Sequence, residues 1–127
     1  MAGGIAHSLA TTLLLWALGW LGASVIGLYA RAGELWRSFW FMSGLWGLID
    51  GLIAWYVLVG GPRAPAELLP VLRLNAGLDI LYVAAGAALL GRGTPLLRGF
   101  GLAVLVQGAF LLALDGTFWR LCTRAAE

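Results

Sequence analysis

The sequence predicts an all-α integral membrane protein, with four transmembrane helices in an up-down-up-down bundle joined by short loops. Three observations carry that expectation. Apolar residues make up 61 % of the 127 positions and charged residues 11 %, where soluble domains carry about 25 % charge. A chain this small and this apolar could not hide its surface in water, because small domains bury only part of it. The apolar residues also fall into four runs of roughly 20, the length that crosses a hydrocarbon core. Each pair of runs is separated by a brief stretch rich in Gly, Pro and charge.

The first span is read at 8–30. It lacks the positive n-region of a signal peptide, and its apolar run is too long for an h-region, so a retained helix is expected. The second span, 38–60, is entered through "RAGELWR"; the third, 68–91, follows "GGPRAPAE"; the fourth, 97–119, follows "GRGTPLLR". These connectors contain the Gly and Pro that stop helices. Pro95 suits the first turn of the fourth helix, where a missing N–H costs nothing. Connections this short make successive helices antiparallel. The expectation is one membrane domain over 1–127, with both ends of the chain on one side, here called side A. The opposite side is side B.

Orientation should follow the basic residues of the loops. Side B holds Arg31, Arg37, Arg92 and Arg98; side A holds Arg63, Arg120, Arg124 and Arg73. The bias is nearly nil, so orientation falls to the C-terminal charge, to a partner, or to a dual topology with an antiparallel homodimer. Trp36, Trp40 and Tyr29 would mark the side-B interface, and Trp55, Tyr56 and Trp119 that of side A, as aromatic belts do. Small residues suggest helix-contact stripes: Gly19, Ala23 and Gly27 in the first span, Gly44, Gly47 and Gly51 in the second, Ala84 and Ala88 in the third. Trp16, Trp20 and Trp46 lie deeper, each with an indole N–H that seeks an acceptor.

Several function classes are disfavoured. The net charge of +2 comes from scattered arginines, so no nucleic-acid partner is expected. Without a His/Cys cluster no metal site is expected, and no cofactor is assigned. His7 is a weak candidate for a haem or pigment ligand, with no second ligand in sight. With His7 at the end of a span, no Ser/His/Asp set assembles and an enzyme is not expected.

The informative groups are the polar ones inside the spans. From midplane to side A lie Asp50, Arg73, Asn75, Asp79, Gln107 and Asp115. The side-B half carries little beyond Ser43. Asn75, Asp79 and Tyr82 are spaced by four and three, on one helix face. In the fourth span Gly101, Gly108 and Asp115 repeat at seven, with Gln107 beside them. An Asp facing lipid at a helix centre costs about 2.5–3.5 kcal/mol. The carboxyls should therefore face inward, protonated, hydrogen-bonded or paired, and Arg73 is the cation at a suitable depth for Asp79 or Asp115.

Two readings of this set stand. In the first, it is an interhelical network that fixes register, and the protein is a scaffold or an accessory subunit of a larger membrane complex. In the second, it lines a wet vestibule on side A, and Asp79 and Asp50 serve a small transporter or channel for protons, cations or a small polar solute. A homo-oligomer and the lipid bilayer complete the expected partners.

Three stretches also carry a resemblance. "WGLIDG", "LNAGLDILYVAAGAALLG" and "GLAVLVQGAFLLALDG" resemble a family of small bacterial four-span membrane proteins of unknown function. The resemblance covers about residues 36–118. It implies a multi-pass protein of the bacterial inner membrane. It also implies that Asn75, Asp79, Gln107 and Asp115 are fixed polar points of the pattern, and that the position of Asp50 is often an amide.

Overall fold

The computed structural model describes residues 2–30, 33–60 and 64–126. It contains four helices: α1 (Ala2–Tyr29), α2 (Glu34–Val59), α3 (Pro65–Leu90) and α4 (Pro95–Ala126). All four are long and apolar enough to cross a membrane. Large apolar side chains cover the outside, among them Leu15, Ile26, Leu52 and Leu81, each more than half exposed. That surface suits hydrocarbon, not water. Pro95 opens α4 as the sequence indicates, Pro65 opens α3 three residues before the expected 68, and Thr94 Oγ1 accepts a bond from the N–H of Leu97 at 3.4 Å. Arg31 and Arg63, counted in the charge balance, lie outside the described residues.

The helices alternate in direction, but chain neighbours are not all packing neighbours. α1 packs on α2, α3 packs on α4, and the two pairs join mainly through the parallel contact of α2 with α4. Among the described residues no Cα of α2 comes within 8 Å of a Cα of α3. Small residues explain which pairs close up. A Cβ placed on Gly86 would stand 2.6 Å from the backbone nitrogen of Leu105 and 2.8 Å from the carbonyl oxygen of Gly101. One placed on Gly47 would stand 3.1 Å from the carbonyl oxygen of Ala17. Gly99 of α4 packs equally tightly on Leu35 and Ser38 of α2. Without a hydrophobic driving force between helices in lipid, such backbone approach is what holds them together.

Two of the expected stripes shift. Gly44, Gly47 and Gly51 do face α1, and Gly27 packs against Trp40. Gly19, however, has nothing within 4 Å of an added Cβ. The row of α1 that enters the core is Ala10, Ala17 and Ser24, repeating at seven. In α3, Ala84 and Ala88 are exposed, and Gly86 makes the contact instead. Spacing defines a face but not the side on which the partner lies. α4 also runs seven residues past the expected 119. Phe118 and Cys122, one turn apart, continue its buried row and pack in the core cluster that includes Ala6 of α1.

Candidate functional site: an acidic cavity between α2 and α3

The separation of α2 from α3 leaves a cavity of about 350 Å³. Its walls are mostly aliphatic. Its polar lining comes from Asp50 on α2, from Glu67, Asn75, Asp79 and Tyr82 on α3, and from Asp115 on α4. α1 closes one side with Leu9, Ala10 and Leu13. Trp46 and Tyr82 meet edge-to-face at 5.0 Å and cap the deep end. Ile49, Ile53 and Val71 line the cavity yet are each about half exposed on the outer surface. They form the rim of an opening between α2 and α3, and Glu67 stands at its side-A end.

Geometry follows from helix periodicity. Asp79 projects toward α4 where Gly108 lets the helices approach, since a Cβ on Gly108 would meet Tyr82 Cβ and the Val83 nitrogen at 3.1 Å. One heptad on from Gly108, Asp115 comes to face Asp79. Their carboxyls lie within hydrogen-bonding reach of each other. Two carboxyls can bond only if one carries a proton and donates it. Asp50 lies close to both carboxyls. Asp50 and Asp79 are 2 % exposed and Asp115 7 %. Oδ2 of Asp50 and Oδ2 of Asp79 are buried with no permanent donor.

Two expected members stand elsewhere. Arg73 does not neutralise Asp79 or Asp115. It is exposed, with its guanidinium 5.8 Å from the ring centroid of Trp119. Its position two residues before Asn75 sets it about 200° round the helix, at about 100° per residue. Gln107 is fully buried, but between α1 and α4: the indole N–H of Trp16 donates to Gln107 Oε1 at 2.8 Å. Trp16 also stacks on Phe110, with centroids 3.6 Å apart. The deep tryptophan N–H thus finds an amide, not Asp50. His7 is exposed on α1 and does not line the cavity. Glu67 and Trp46 were not among the expected site residues. Glu67 was legible, because Glu67, Val71, Asn75 and Asp79 recur at every fourth position.

Removing the Trp16 bond should cost measurable stability. Trp16→Phe keeps an aromatic ring over Phe110 but takes the donor from Gln107 Oε1, whose amide nitrogen already lacks a partner. A loss of about 1–2 kcal/mol is expected, read from reversible unfolding in mixed detergent and SDS micelles. Unchanged stability would remove this bond as a tie between α1 and α4.

The sequence pattern of a family of unknown function, DUF6992, matches residues 12–116. The chain belongs to this family. The match spans most of α1 and all of α2 and α3, and ends one residue past Asp115. Every carboxyl of the cavity therefore falls inside the DUF6992 region. No curated protein and no solved structure matches the chain. As a DUF6992 member the protein thus brings a four-helix membrane-type fold and an acidic cavity, while the family brings no activity with it.

Proposed function

We propose that this protein is a small transporter or channel of a bacterial inner membrane, handling protons, cations or a small polar solute at Asp79 and Asp50. The carrying observation is the orphaned state of the two buried carboxyl oxygens that line the cavity. A network built to fix helix register would satisfy its own members, because a buried acceptor left unpaired costs about 1–3 kcal/mol. Here both oxygens stay buried and unpaired in residues that line the cavity. Intramembrane carboxyls beside such space are the usual material of proton and ion pathways. The bacterial location rests on the resemblance of the three polar-bearing spans to four-span bacterial proteins. The scaffold reading, favoured by the sequence, draws support from the close-packed α3–α4 and α1–α2 pairs but leaves the cavity without a role.

Purified protein in proteoliposomes should dissipate an imposed pH or cation gradient. Asp79→Asn should stop the flux, because Asp79 holds the shared proton with Asp115. Asp50→Asn should be tolerated better, since Asp50 stands outside that shared bond. An absence of flux under every gradient would sink the proposal, and co-purification with one larger complex in mild detergent would then favour the accessory subunit.

A further inference from the structure

The chemistry of the cavity narrows its ligand, and this step rests on the proposed function above. Three features bear on the choice. First, Asp50 and Asp79 line the cavity, are 98 % buried, and each keeps a buried Oδ2 without a hydrogen-bond partner. Such oxygens call for N–H or O–H donors. Second, among the described residues no basic side chain lines the cavity, and Arg73 is exposed. Third, the remaining walls are aliphatic and aromatic, and the opening runs between Ile49, Ile53 and Val71 on the lipid-facing surface.

A metal ion suits this poorly. Among the described residues, no three His, Cys, Asp or Glu groups converge as a metal ion requires. A hydrated inorganic cation would leave the apolar walls unused. A quaternary ammonium would bring charge but no donor to the orphaned oxygens. The volume of about 350 Å³ lies near the small end of ligand pockets, which run from about 300 to 1,000 Å³.

We propose that the cavity binds a protonated organic amine with a compact apolar body, admitted from the bilayer between α2 and α3. The ammonium N–H groups donate to the carboxyls of Asp50 and Asp79, and the apolar body lies against Ile49, Ile53 and Val71. The Asp79–Asp115 pair then gives up its shared proton, so one ammonium taken from water returns one proton to water and the site keeps its charge. The titratable groups facing the amine are Asp50 from α2, Glu67, Asp79 and Tyr82 from α3, and Asp115 from α4; α1 presents aliphatic side chains.

The test is equilibrium binding of tritiated 3-phenylpropylamine to the full-length protein in lipid nanodiscs, with empty nanodiscs subtracted. Saturable binding of one amine per chain is expected, displaced by other primary amines. The neutral 3-phenylpropanol, tetramethylammonium and sodium should not displace it. Affinity should fall about tenfold per pH unit on acidification while one proton is exchanged, as long as the amine itself stays protonated. Asp79→Asn should weaken binding by about tenfold or more, because a charge-assisted acceptor is lost. The displacement series and pH series use the unmodified protein, so they decide the matter even where a variant misfolds. Displacement by 3-phenylpropanol equal to that by amines overturns the proposal in favour of an apolar hole. Equal displacement by sodium overturns it in favour of an inorganic site, and absence of saturable binding overturns it outright. Proton flux in proteoliposomes without amine binding would sink this inference and leave the transporter reading standing.

Discussion

Replacing Gly101 with leucine should force α3 and α4 apart and give a large loss of stability. A Cβ at Gly101 would already stand 2.7 Å from the carbonyl oxygen of Gly86 and from Leu89 Cβ, and would also meet the backbone nitrogen of Leu90. Most of these atoms are backbone or the first side-chain carbon, so none can swing away as the end of a flexible side chain could. The helices themselves must separate. Overpacking costs about 1–3 kcal/mol and occasionally more, and a loss of about 3 kcal/mol is expected here because the contact is backbone to backbone. The α3–α4 interface also sets the Asp79–Asp115 contact, about four turns along α4 from Gly101, so ligand binding or flux should fall with stability. Gly19→Ala supplies the control. Nothing lies within 4 Å of its added Cβ, and alanine relieves about 0.5–1 kcal/mol of helix entropy. Unfolding of both variants in mixed micelles decides the point. A Gly101→Leu protein as stable as the parent would mean that α3 and α4 do not approach at this seam.

The four helices were legible because hydropathy reports burial in lipid directly, and the connectors carry their own stops. The tail of α4 was not, because Arg120 and Arg124 pull the local average down while Phe118 and Cys122 keep the buried row going on one side. The polar groups were legible as a set: residues 50, 79 and 115 line one cavity. Direction round the helix was harder. Arg73 was assigned by depth alone, although its spacing from Asn75 already turns it away from the carboxyls. Gln107 sits at the right depth but faces α1, and no sequence pattern says whether a polar stripe on α4 meets α3 or α1. The gap between α2 and α3 is the least legible feature of all. Short connectors suggest that consecutive helices touch, yet Gly99 draws α4 against α2, while among the described residues no comparable glycine pairs α2 with α3.

That gap gives the two readings opposite signs in one measurement. If Asp50 serves to hold the helices in register, its loss should weaken the bundle. If it serves a ligand, the empty protein carries it at a cost, and its loss should strengthen the bundle. Asp50 is 2 % exposed, its Oδ2 has no donor, and a like-charged group, Asp79, stands nearby. Asp50→Leu replaces it by an apolar side chain of similar length, removes an unpaired buried acceptor and fills part of the cavity beside Ile53 and Ala54. Stabilisation by about 1–3 kcal/mol is expected, seen as a higher melting temperature in detergent without any added ligand. Proton flux and amine binding should fall in the same variant, as stability and activity trade against each other where a site is kept strained for use. Asp50→Asn should sit between the two, since an amide restores a donor but still needs its own partners. A lower melting temperature for Asp50→Leu would return Asp50 to the role of an interhelical tie and favour the scaffold. Stabilisation with flux intact would leave Asp79 and Asp115 as the working pair and make Asp50 a bystander at the floor of their cavity.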